Sequence, residues 1–175
     1  MLKHVKQVVF PNLVNLSNGH SSFGEYMKGA ECKISKASLL IEACNLIDQM
    51  KISEQNQDVQ GDLYEYMLGH LQFAGRNGQF RTPRHIIELM VEMTAPTPDD
   101  LICDPASGTC GFLVAAGEYL RNNHPELFTD PKLSAHFHGS MFHGYDFDNT
   151  MLRIGSMNMQ LHGVQNPAIS YRDSL

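Results

Sequence analysis

Two kinds of apolar spacing divide the chain. Leu39, Leu40, Ala43, Leu46, Ile47 and Met50 recur at helical intervals behind Ser35, a residue suited to capping a helix N-terminus. A polar connector over 53–62 separates them from Leu63, Met67 and Leu71, the stripe of a second predicted helix over about 63–72. Thr82-Pro83 then sets a cap residue before a proline at the first helical position, and Ile86, Ile87, Met90, Val91 and Met93 supply an apolar face that Pro96 and Pro98 close. Beyond that the runs shorten. Segments 101–103, 141–145 and 168–171 predict strands, and helical patterns over 112–121 and 149–162 follow the first two, the second closed by Gly163. Strand–loop–helix twice, then a strand, predicts an α/β protein with the first part of a doubly wound parallel sheet. The expected division is a helical N-terminal region over 1–75 and an α/β region over 76–175.

In such sheets ligands bind at the carboxyl ends of the strands. Here those ends carry Asp104, then Asp146, then Asp173, and the first continues into Pro105-Ala106-Ser107-Gly108-Thr109-Cys110-Gly111. Glycines at 108 and 111 allow close backbone approach, and a loop feeding a helix N-terminus favours negative charge. A carboxylate ending the second strand is placed to accept both hydroxyls of a ribose. The loop matches neither G-x-x-x-x-G-K-[ST] nor G-x-G-x-x-G. Asp104 at its head repels a pyrophosphate and tolerates an ammonium group, which favours S-adenosylmethionine over NAD or ATP.

Composition narrows the setting. The 175 residues, 42% hydrophobic and 18% charged, permit a real core. A net charge of −6 is the wrong sign for a stand-alone nucleic-acid binder. Cys32, Cys44, Cys103 and Cys110 show no C-x-x-C spacing and are read as free, buried thiols of a reducing cytoplasm. Neither a membrane-length apolar run nor a signal-peptide pattern is present, so neither membrane insertion nor secretion is expected.

At this point the motifs carry a resemblance. DPASGTCGFLVAA resembles motif I of the adenine-N6 DNA methyltransferases, commonly DPACGTGGFL, and GQFRTPRHIIELMVEM resembles their motif X, placed ahead of motif I. GYDFDNTMLRIGSMNMQLHG is similar to the segment after their second strand, and DVQGDLYEYMLGHL looks like the stretch preceding motif X in the modification (M) subunit of type I restriction–modification systems. The resemblance implies a Rossmann-like methyltransferase sheet and an adenine-specific DNA methyltransferase (EC 2.1.1.72) using S-adenosylmethionine. Implied partners are DNA, a specificity (S) subunit, a second M subunit and a restriction (R) subunit. By position, Gln79, Phe80, Arg81, Thr82, Pro83 and Arg84 would wrap the methionine end of the cofactor. Asp104 would take its amino group, and Ala106, Gly108, Thr109, Cys110 and Gly111 would line the loop. Asp146 would hold the ribose, Phe147 would lie against adenine, and Asp173 would meet the adenine amino group. Two positions depart from the family: Ser107 stands for the usual Cys, and Cys110 for a Gly, where it needs a negative φ or stores strain.

The family's catalytic element, [ND]-P-P-[FYW], is absent. Asn166-Pro167-Ala168-Ile169 lacks the second proline and the aromatic residue. The chain is therefore expected to be a fragment with the cofactor-side motifs and no catalytic residue, inactive alone. Only three of seven strands are expected, and the unpaired edge favours association or marginal stability. The alternative is a non-catalytic cofactor-binding or assembly module. His136, His138 and His143 are read as a surface loop, with no metal expected. Arg76, Arg81 and Arg84 form a basic group open to a carboxylate, a phosphate or solvent. The ten methionines are read mainly as helix core, and Ser107, Thr109 and His85 suggest no triad.

Overall fold

The computed structural model describes residues 1–15, 24, 27, 29–52, 57–73 and 82–174. The chain divides into two compact units, Met1–Asn56 and Gln57–Leu175. In the first, α1 (Leu2–His4), a π-helical turn Val5–Val9 and α2 (Phe10–Asn15) run on continuously, and α3 (Ala37–Met50) follows the irregular residues 30–36. The α3 stripe does not become a core: Leu40 is buried, whereas Leu39, Leu46, Ile47 and Met50 are all more than half exposed.

The second unit begins with α4 (Gln57–Phe73) and α5 (Arg84–Thr94). It continues through β1 (Ile102–Asp104), α6 (Gly111–Asn123), a 3-10 turn Pro125–Phe128, α7 (Pro131–Gly139), β2 (Phe142–Asp146), α8 (Asn149–Leu161) and β3 (Ala168–Tyr171). The strands are parallel in the order β1-β2-β3, with Asp104 opposite Gly144 and Gly144 opposite Ile169. This is the α/β sheet that the alternation of short apolar runs and helical stripes predicts.

Leu113, Leu120, Leu127, Phe137, Phe142, Leu152 and Met159 are almost completely buried and form the core of this unit. Phe137 meets Phe142 edge-on, with ring centroids 5.3 Å apart, a favoured aromatic geometry. Helix starts are chemically marked. Asp130 accepts the Lys132 and Leu133 amides ahead of Pro131, and Asp148 accepts the Thr150 amide at 2.7 Å.

α4 belongs to the unit that holds the sheet: it packs on α8, where the Tyr64 hydroxyl lies 4.0 Å from Met157 Sδ and Gly61 faces the His162 ring. Three expectations are corrected. His136 and His138 lie on α7, not in a loop. His136 bonds Ser140 Oγ and the Asp100 carbonyl, and His143 bonds the Ser140 carbonyl. Of the four free thiols only Cys110 is buried. Of the methionines, Met151 and Met159 are core while Met50, Met67, Met90 and Met93 are exposed.

Candidate functional site

The segment between β1 and α6 is laced to the end of β2. Ser107 donates to the Tyr145 carbonyl through both its amide, at 2.9 Å, and its hydroxyl, at 3.2 Å. The Gly108 amide donates to Asp146 Oδ2 at 3.0 Å, and Asp146 Oδ1 accepts the Asp148 amide at 2.8 Å. Asp146 therefore uses two of its roughly four lone-pair sites, one on the loop and one on the turn after its own strand, leaving the others for a ligand. At the head of the loop, Asp104 Oδ1 accepts the Ala106 amide at 3.0 Å. Burial raises the Asp104 carboxyl above its ordinary range, the Ala106 bond opposes this, and the Asp146 charge adds to it.

The loop conformation explains its glycines. Gly108 has φ +50 and nothing within 4 Å of a notional Cβ, so the backbone there faces open space. Cys110 has φ +63, a left-handed conformation uncommon for a side chain with a Cβ, so the strained alternative holds at this position. Its sulfur is completely buried against Gly155 of α8, where a Cβ would lie 2.6 Å from Sγ. Burial pushes the Cys110 thiol up to about 12, against the Ser107 bond and with the Asp104 and Asp146 charges, so it is a packing group and not a nucleophile.

Of the motif X residues, Gln79, Phe80 and Arg81 lie outside the described residues, as does Arg76. Pro83, not Thr82, takes the N-cap position of α5, with no side-chain cap bond. Thr82, Pro83 and Arg84 meet Gly111 around a cavity of about 360 Å³ that also holds Asp62, Glu65 and Tyr66. Arg84 is held by carboxylates. It bonds Glu88 at 2.9 Å, Glu65 at 3.0 Å and Glu118 at 2.8 Å, with Asp62 at 3.6 Å. Burial works against its charge, but the Glu88 bond and the Glu118, Glu65 and Asp62 charges outweigh it and hold its pKa above the usual range. Asp62, Glu118 and His162 place potential ligand atoms within 4.8 Å of one another, and the Arg84 guanidinium pairs with both carboxylates of that group.

Phe147 is 70% exposed just past β2, and Asp173 is exposed two residues beyond β3. Asp104, Ala106, Gly108, Cys110 and Asp146 are thus gathered by hydrogen bonds or packing at the carboxyl ends of the first two strands. Phe147 and Asp173 flank that end of the sheet, and Thr82–Arg84 approach the far end of the loop at Gly111. Two residues escaped the sequence reading. Asn158 Nδ2 donates to the Thr109 carbonyl at 3.0 Å and to Glu65 Oε1 at 3.1 Å. Both lie inside quoted motif segments, but Glu65 and Asn158 stand 93 positions apart, and no spacing rule links them.

The chain is similar to known proteins. The EcoEI type I restriction enzyme methylase subunit of Escherichia coli is 29% identical over 181 residues, which span 95% of this chain and 35% of that protein. The EcoKI methylase subunit of E. coli strain K12 is 30% identical over 116 residues, 63% of this chain and 22% of that one. The crystal structure of a modification subunit assigned to a type I restriction enzyme of Vibrio vulnificus YJ016 superposes with a TM-score of 0.75 at 27% identity, covering 95% of this chain and 35% of that one. The chain therefore spans about a third of the length of the EcoEI and Vibrio vulnificus relatives. The sequence model of the N-6 DNA Methylase family matches residues 55–175, the unit that holds the sheet and the Asp104–Gly111 loop, and the chain belongs to that family.

Proposed function

We propose that this chain is the cofactor-holding part of a type I modification subunit, and that the whole protein transfers the methyl group of S-adenosylmethionine to N6 of adenine in DNA. The observation that carries the reading is the Asp104–Gly108–Asp146 arrangement. Its donors and acceptors fit the cofactor. Asp104 offers a half-buried carboxylate that lacks a cationic partner among the described residues and suits an ammonium group. Asp146 retains lone pairs for ribose hydroxyls, the space over Gly108 is open, and Phe147 presents a free ring face for adenine. Ala106, Thr109, Cys110 and Gly111 complete the loop, Thr82 and Pro83 stand at its far end, and Asp173 flanks the adenine side. When bound, S-adenosylmethionine supplies an electrophilic methyl on a sulfonium. The 175 residues contain no [ND]-P-P-[FYW] to activate an adenine amino group, so methyl acceptance belongs to other residues of the whole protein.

The same reading makes the whole protein a cytoplasmic partner of DNA, an S subunit, a second M subunit and an R subunit. It rests on the relatives being subunits of type I enzymes. Among the described residues no helix is long and apolar enough to cross a membrane. A second reading, a non-catalytic assembly module, draws on the exposed apolar row of α3.

Calorimetric titration with S-adenosylmethionine separates the two. The expected result is saturable binding that is lost in Asp146→Ala and weakened about tenfold in Phe147→Ala, the size of a lost base–aromatic stack. Phe147 is exposed, so its truncation leaves the fold intact. A folded chain that takes up no cofactor overturns the proposal and favours the assembly reading.

A further inference from the structure

The Asn158 side chain is completely buried yet joins three segments distant in sequence. One Nδ2 hydrogen goes to the Thr109 carbonyl and the other to Glu65 Oε1, at 3.0 and 3.1 Å. Both partners only accept, which fixes the orientation of the amide. The other oxygen of Glu65 accepts from Arg84, the first residue of α5, directly after Thr82-Pro83. A single amide on α8 thereby ties the loop after β1 to the helix preceding motif X.

The bond to Thr109 falls on a sensitive peptide. Its carbonyl is held by Asn158 and its N–H, on Cys110, donates to the Ser107 carbonyl. The orientation of that peptide helps to set φ at Cys110, which is +63. In the family's common pattern a glycine at this position adopts such a φ without cost; here a Cβ opposes it. Rotation of the 109–110 peptide would relieve the cysteine and spoil the loop, and the Asn158 donation opposes that rotation.

We propose that Asn158 is a positioning residue for cofactor binding: it locks the Thr109–Cys110 peptide in the left-handed conformation that shapes the loop. This rests on the cofactor reading of the loop given above.

The test is calorimetric titration with S-adenosylmethionine alongside thermal denaturation, on the same 175-residue chain. N158D removes both donors and sets a carboxylate against Glu65. It is expected to lower the Tm and to weaken cofactor binding about tenfold, as for a buried acceptor left unsatisfied. In N158D/E65Q the amide and the carboxylate have exchanged places, so the 65–158 contact returns while the donation to Thr109 does not. Tm is expected to recover in part, and affinity is not. With C110G, where the left-handed φ carries no penalty, N158D is expected to cost less affinity than it does beside Cys110, and this background keeps the test open if N158D alone folds poorly. Affinity returning with Tm in the exchanged pair, or an N158D penalty independent of residue 110, overturns the inference and leaves the cofactor reading standing. Absence of binding by the unsubstituted chain overturns the cofactor reading itself.

Discussion

At the scale of single residues, Asp104 sits where function and stability oppose each other. Burial raises its pKa, so the folded chain holds that proton more tightly than the unfolded chain does. For a carboxyl shifted upward, the favourable contribution is complete below the unfolded pKa and is lost as pH rises through the folded one. At neutral pH the ionised group therefore costs stability, a cost that a bound ammonium would offset. Asp104→Asn keeps an oxygen for the Ala106 amide and removes the charge. Thermal denaturation at pH 7 is expected to show a higher Tm for the variant, and the difference should vanish as pH falls below the ordinary carboxylate range. The same variant is expected to bind S-adenosylmethionine more weakly. Equal Tm values at pH 7 would mean that the buried charge costs nothing.

At the scale of elements, clearance between helix and loop decides what a single methyl group does. A Cβ at Gly155 of α8 would lie 2.6 Å from the Cys110 sulfur and 3.1 Å from the Gly108 carbonyl oxygen, and neither belongs to a side chain with room to swing away. Gly155→Ala is expected to destabilise the chain by about 1–3 kcal/mol, the usual cost of overpacking. A Cβ at Gly117 of α6 would meet Phe142 at 3.6 Å, an ordinary contact, so Gly117→Ala should stabilise by about 1 kcal/mol through helix propensity. Urea unfolding of both variants tests the pair, and a harmless Gly155→Ala would show that α8 does not press on the loop. The strands and the helices around this contact were legible in the sequence because period and punctuation agreed: Thr82-Pro83 before α5, Asp104 and Asp146 at strand ends, Gly163 after α8. The helix α7 was missed although Asp130-Pro131 repeats the cap-and-proline signal, because its histidines made the stretch read as polar loop. The apolar stripe of α3 marked the helix but not its exposure, since periodicity reports an amphipathic face and not what covers it. The Glu65–Asn158–Thr109 connection was illegible because it depends on which helices pack together.

At the scale of the whole molecule, charge and the missing tetrapeptide act together. A protein holding DNA must neutralise several phosphates, and each such contact strengthens the salt dependence of binding. This chain carries 13 basic and 19 acidic residues, a net charge of −6, and Arg84 of motif X is already held by three carboxylates. Little positive potential is left for a phosphate backbone. The chain alone is therefore expected to give no retarded complex with duplex DNA even at low salt. Presented with radiolabelled S-adenosylmethionine and adenine-containing DNA, it is expected to transfer no label, because no [ND]-P-P-[FYW] is present to hold a flipped adenine. Cofactor binding and methyl transfer are thus predicted to separate in this chain: the first measurable by calorimetry, the second at background. Transfer above background by the purified chain would mean that an acceptor site can be built from the residues described here, with Asn166-Pro167 the first place to look. Cofactor binding without transfer would support the proposed division, in which DNA contact and methyl acceptance lie outside this chain together with the positive charge it lacks.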